Sequence, residues 1–175
     1  MKLVPHPAAP PRADLSVRAE ILVRADGIRL AEYVVTGDVE AVLWPAKTAP
    51  ARRDGLWQTT CFELFAADRG SDHYYEFNFS PSGQWAAYDF NGYRGAMRDR
   101  PVSGNVAIES AKGRSAFAQL VVLDAPIDGR RVGLTAVIEE LGGTKSYWAL
   151  VHPSPEPNFH HSDSFVLELP AAPAP

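Results

Sequence analysis

Glu63 and Glu76 fall in the stretch CFELFAADRGSDHYYEFNFSPSGQWAAYDF, residues 61–90, inside two runs that otherwise read as strands. Paired carboxylates on one sheet face can share a proton, accept hydrogen bonds from hydroxyls or attract a cation. Which of these is open depends on register, because a slip of one residue moves every side chain to the opposite face. With the loop ADRGSD flanked by Ala66 and His73, Glu63 lies opposite Glu76, Cys61 opposite Asn78, Phe62 opposite Phe77 and Leu64 opposite Tyr75. One face is then apolar, and the other carries two carboxylates, an amide and a thiol. At about 5 Å and an effective dielectric of about 20, the two charges repel by roughly 3 kcal/mol. One carboxyl is expected to keep its proton well above the usual range unless a cation intervenes, and Arg94 in NGYRGAM is the candidate cation.

The next turn, SPSGQ, puts Pro81 where its fixed φ suits a turn and Gly83 where a left-handed residue is needed. An even turn sends Trp85 and Asp89 to the glutamate face and Tyr88 and Phe90 to the core. A bulge at Gly83 does the reverse. Both alternatives leave an aromatic ring beside the carboxylates.

Other residues with possible chemistry carry less. HPSPEPNFHHSDSF holds His152, His160, His161 and Asp163. Adjacent histidines on an extended segment point to opposite sides, and the spacing matches no established zinc pattern, so these stay candidates only and no metal is expected. Met97 could join a histidine as a haem ligand. In YRGAMRDR it reads first as loop packing, and no cofactor is expected. Glu63 and Glu76 directly opposite each other could reach the spacing of a retaining glycosidase pair. Such neighbours point the same way, whereas hydrolysis needs groups on two sides of a bond, so no catalytic residue is assigned. Cys61 has no His or Lys beside it in sequence to activate it and reads as a packed side chain.

The elements that must position these residues are strands. TTCFELFA, HYYEFNFS, QWAAYDF, NVAIES, AFAQLVVL, SYWALVH and SFVLEL are short, rich in Val, Tyr, Phe, Trp and Thr, and separated by turn residues. RAEILVRA and AVIEEL leave short helical turns open, without a sustained 3.6-residue stripe. The pattern predicts an all-β fold, an antiparallel β-sandwich. The prolines of PHPAAPPR and PAAPAP predict an N-terminal tail over 1–14 and a C-terminal tail over 170–175, around one folded domain over 15–169. At 175 residues, 46% hydrophobic and 22% charged, the chain has an ordinary globular composition. Its net charge of −4, with no basic stripe, argues against nucleic acid as a partner. No apolar run suits a signal peptide or a membrane span, and one cysteine fits a reducing compartment, so a cytoplasmic location is expected. Oligomeric state is left open.

DGLWQTTCFELF, YEFNFSPSGQWAAYDFNGYR and YWALVHPSPEPNFHHSDSF together resemble the DOMON-like domains of proteobacteria, relatives of family 9 carbohydrate-binding modules and of DOMON haem- or sugar-binding domains. The resemblance covers about residues 15–169. It implies a β-sandwich with a ligand site on one concave sheet, in which acidic, amide and arginine groups bind sugar hydroxyls and aromatic rings cover the sugar. By motif, Glu63, Glu76, Asn78 and Arg94 would form the polar set, and Trp57, Trp85 and Tyr88 the aromatic set. The expected function is binding of a small ligand, a saccharide. A glycoside hydrolase-like enzyme, a haem-binding domain and a protein-interaction module are the alternatives.

Overall fold

The computed structural model describes residues 1–24, 28–68, 70–124 and 131–169. The C-terminal segment 170–175, expected as a tail, lies outside them. Among the described residues the regular structure is all strand apart from three single-turn 3-10 helices. The strands are β1 (Lys2–Pro5), β2 (Leu15–Val23), β3 (Arg29–Gly37), β4 (Cys61–Ala67), β5 (His73–Phe79), β6 (Trp85–Asn91), β7 (Arg98–Asp99), β8 (Val106–Lys112), β9 (Ala116–Leu123), β10 (Arg131–Glu139), β11 (Lys145–Ala149) and β12 (Leu167–Glu168). RAEILVRA and AVIEEL, where helical turns were open, belong to β2 and β10.

Pairing between strands is antiparallel throughout, in the order β7-β6-β5-β4-β10-β11-β1-β2-β3-β9-β8, with β12 on β10. This path folds over at β1. Lys2 and Leu3 pair with β2, while Val4 and Pro5 pair with β11, so one short strand serves both layers. The expected tail over 1–14 is thereby corrected. Proline disfavours helix but is tolerated in extended chain at a strand end, and Leu3 is fully buried while the terminal ammonium donates to Ala19 O (2.7 Å).

The two layers bury their faces differently. Along β9 every second residue is buried, as expected of a sheet packed on one side only. In β4 all seven residues are buried, and in β5 all but the first, so this sheet is covered on both faces. Its inner face meets the other layer through rings. Phe62 on β4 stacks on Tyr33 of β3 (centroids 4.8 Å) and lies 6.0 Å from Phe117 of β9. The Tyr33 hydroxyl crosses the core to donate to Glu63 O (2.7 Å). Loops cover the outer face, and the site lies there.

The β4–β5 register differs from the expected one by two residues. Phe62 faces Phe79, Glu63 faces Asn78, Leu64 faces Phe77, Phe65 faces Glu76 and Ala66 faces Tyr75. Faces are preserved because the shift is even. Glu63 and Glu76 therefore share one face as diagonal neighbours, a relation that sets Cβ atoms about 7–8 Å apart rather than about 5 Å. The extra pair Ala67–Tyr74 forms because both side chains are buried there, while His73 is exposed.

Candidate functional site

Odd-numbered residues of β4 and even-numbered residues of β5 and β6 point outward. The parity of β6 is set by the turn after β5. Gly83 N donates to Ser80 O (3.0 Å), Ser80 N donates to Gln84 O (2.9 Å), and Gly83 adopts φ +94°. A loop of three residues with a left-handed glycine is the bulged alternative, and it pairs Glu76 with Tyr88 and Phe79 with Trp85. Trp85 is accordingly excluded from the site. It packs toward the core between the sheets, with the Arg52 guanidinium 5.6 Å from its ring centroid.

On the outer face lies a hollow of about 620 Å³. Glu63 and Phe65 from β4, Glu76 from β5 and Phe90 from β6 form its floor, joined by Val137 of β10 and Tyr147 of β11. Its walls are Trp57, on a 3-10 turn, and the loop residues Arg94, Met97, Phe159 and His160. Of the residues singled out in sequence, Glu63, Glu76, Arg94 and Trp57 line the hollow. Asn78 and Tyr88 stand behind it. Asn78, wholly buried, donates from Nδ2 to Glu76 Oε1 (2.6 Å). Tyr88 donates its hydroxyl to Asp54 Oδ1 (2.8 Å) and meets the Trp57 ring edge-on at 5.7 Å, so it braces that wall.

Both carboxyls are nearly inaccessible, Glu63 at 2% and Glu76 at 5% exposure. Burial, with the neighbouring Glu76 charge, pushes the Glu63 pKa well above the carboxylate range, and a hydrogen bond from Thr135 Oγ1 (3.0 Å) only partly offsets this. Burial raises Glu76 to about 7 against the pull of Asn78 and of the Arg94 charge. Arg94, expected to sit between the acids as an ion-pair partner, acts on Glu76 through its field and forms no salt bridge with a described carboxylate. Both carboxyls are thereby pushed toward the neutral form, in which a carboxyl can donate as well as accept.

His160 extends this network. Arg94 N–H donates to the Tyr74 hydroxyl (3.1 Å), which in turn lies 2.8 Å from His160 Nδ1. Burial lowers the His160 pKa to about 4, so the ring is neutral. With Tyr74 donating to Nδ1, the ring proton sits on Nε2, 3.9 Å from Glu76 Oε2. His161 does not line this hollow and accepts from Asp163 N at its Nδ1 (3.2 Å). His152 is apart from both, bonded to Val4 O (2.9 Å) and edge-on to His6. The three histidines do not converge, and no group of three or more His, Cys, Asp or Glu among the described residues could hold a metal ion. Met97 and His160 do line the same hollow. A haem iron reaching His160 Nε2 would have to enter beside Glu76. Cys61 is buried against Asn78, with burial raising its pKa as expected of a packed thiol.

The sequence does not single out Phe65, Tyr147 or Phe159, offers His160 only as a metal candidate, and brings Phe90 to this face only in the bulged alternative. Phe65 shares the parity of Glu63, and Phe90 follows from the bulge. Phe159 and His160 sit on an irregular segment with no periodicity to read. That segment is seated by Phe165, which stacks on Phe65 at 5.7 Å. Gly133 on β10 makes room for it. A Cβ at Gly133 would lie 3.0 Å from Phe165 Cδ1 and 3.2 Å from Ser164 O. Gly133→Ala should lower stability by about 1–3 kcal/mol through overpacking, read as a lower urea midpoint at unchanged slope.

Fold and site together define a class: a two-layer antiparallel β-sandwich with an acid-floored, aromatic-walled hollow on the outer face of one sheet. No family model matches the chain, and no curated protein matches it in sequence. A solved structure that shares the fold is that of a Bacteroides uniformis protein described, by inference, as carbohydrate-binding. It is 18% identical, the match covers 95% of this chain and 83% of that one, and the TM-score is 0.65. At that identity the likeness is one of fold. No helix among the described residues is long and apolar enough to cross a membrane.

Proposed function

We propose that the protein binds a saccharide in the 620 Å³ hollow. The observation that carries this is the pair of buried carboxyls, Glu63 and Glu76, set in one hollow with the rings of Trp57, Phe65, Phe90 and Tyr147. A sugar ring has apolar C–H faces that aromatic side chains cover, and hydroxyls that both donate and accept. Carboxyls held partly neutral meet such hydroxyls in either sense, and avoid the cost of burying two full charges. Glu63, Glu76, Arg94 and Trp57 would touch the ligand, with Asn78 and Tyr88 acting from behind. Kinship with DOMON and family 9 carbohydrate-binding modules belongs to this proposal, as does a cytoplasmic location, and the fold shared with a protein described as carbohydrate-binding supports it.

The test is a thermal-shift screen over a panel of mono- and oligosaccharides. At least one sugar should raise the melting temperature. Trp57→Ala should weaken that sugar about tenfold or more, read by calorimetric titration, since a stacked ring gives about 0.5–1.5 kcal/mol beyond the area it buries. A panel without any shift overturns the reading.

One observation favours a second reading. Two neighbouring carboxyls that burial raises, Glu76 to about 7, are of the kind that serves as a general acid. Both rise from one floor, so neither faces the other across a bond, and turnover of chromogenic glycosides that Glu63→Gln abolishes would be needed to establish hydrolysis.

A further inference from the structure

Three hollows lie in sequence along β5. The central one meets the strand at Glu76. A second, of about 340 Å³, is lined by Ser71 and Asp72, immediately before the strand begins at His73. A third, of about 800 Å³, is lined by Ser80 and Ser82, immediately beyond its end at Phe79. Each outer hollow shares a side chain with the central one, His160 in the first case and Trp57 in the second. Seven residues of strand at about 3.3 Å each make the run roughly 20 Å long.

We infer that the ligand is a chain, an oligosaccharide laid along β5, with a middle unit over Glu63 and Glu76 and further units in the two outer hollows. The central hollow alone would serve a single small ligand. What it would leave unused is the chemistry on either side. Beyond His160 stands Tyr93, a ring 61% exposed whose hydroxyl accepts from Asn158 Nδ2 (2.9 Å), so that it is fixed yet open on the wall of the outer hollow. Beyond Trp57 the lining turns polar, with Arg53, Gln58 and Gln84. Aromatic surfaces alternating with hydrogen-bonding side chains suit successive sugar units, each offering a C–H face and hydroxyls. The hollows adjoin one another at single side chains, His160 and Trp57, over which consecutive units would be joined.

The inference rests on the carbohydrate reading, and one calorimetric series tests both. The probes are unbranched glucan and xylan oligosaccharides, from the single sugar to about six units. Affinity should rise by about tenfold or more between the single unit and the longest chain, with the gain ending once the hollows are filled. Tyr93→Ala, an exposed position whose loss leaves the core intact, should remove about threefold to tenfold of affinity for the long chains and none for the single sugar. Equal affinity for the single sugar and its chains, or a Tyr93→Ala loss that is the same at every length, overturns the chain ligand and leaves saccharide binding standing. Failure of every probe at every length overturns both.

Discussion

Glu76→Gln should gain stability over the parent protein as pH rises, by about 3 kcal/mol between pH of about 4 and about 8. Burial lifts Glu76 from its ordinary value of 4.5 to about 7. Between those values the folded chain keeps a proton that the unfolded chain has released. The stability this brings is complete below about 4.5 and lost as pH climbs through about 7, because the native state then has to charge a carboxyl that it has shut away from water. Glutamine does not titrate and keeps the oxygen that accepts from Asn78, so the difference between the two proteins follows Glu76 and its coupling to Glu63. That difference is the quantity to read, since His160 works in the opposite sense. Its pKa is lowered to about 4, and the stability it contributes is lost as pH falls. Urea midpoints for both proteins at a series of pH values make the measurement. A difference that stays flat with pH would mean that the carboxyl is solvated and the floor of the hollow is not as described. Glu63→Gln should behave in the same direction, for Glu63 is also raised by burial and by its acidic neighbour.

How far these positions were legible follows from what each one depends on. Strand alternation placed Glu63 and Glu76 on one face, since only that parity gathers the apolar residues on one side and the carboxylates on the other. It could not separate registers two apart, because both keep Phe62, Leu64, Phe77 and Phe79 on the inner face. The pairing observed adds Ala67–Tyr74, both buried, and leaves His73 exposed at the strand end, a choice made by what tertiary packing covers rather than by pattern. Gly83 raised the question of the second turn without answering it, as both turn types accept glycine, and the three-residue loop then decided the places of Trp85 and Tyr88 together. The β1 strand was hidden by its prolines, since composition reports what a segment avoids and Leu3 alone shows what it packs against. The loop wall of the hollow was the least legible part. Phe159 and His160 owe their positions to contacts with Phe65, Tyr74 and Tyr147, and contacts between distant segments leave no local period. The continuous burial of β4 and β5 was the available clue. FELFA and YYEFNF carry apolar residues at both parities, as strands covered on two faces do, so something had to lie over the glutamates.

Phe62→Ala should cost about 3–5 kcal/mol of stability, seen as a lower urea midpoint, while the saccharide affinity of the folded protein stays within about twofold of the parent. Phe62 is wholly buried against Tyr33 and Phe117, at the point where the two layers meet, so its removal leaves a void bounded by two rings held on paired strands of the facing sheet. Such a void closes poorly, which places the expected loss in the upper part of the range for buried side chains. Glu63, the next residue, points to the opposite face and keeps Thr135 and the β5 ladder whether or not the ring behind it is present. Trp57→Ala is the converse case. Trp57 is only partly buried and stands on a single 3-10 turn outside the strands, so its loss should fall on affinity and spare most of the stability. If Phe62→Ala costs less than about 1 kcal/mol, the layers are not packed across that ring. If it abolishes binding in protein that is still folded, the inner core sets the shape of the floor, and the separation of the two faces of β4 into a stabilising side and a binding side fails.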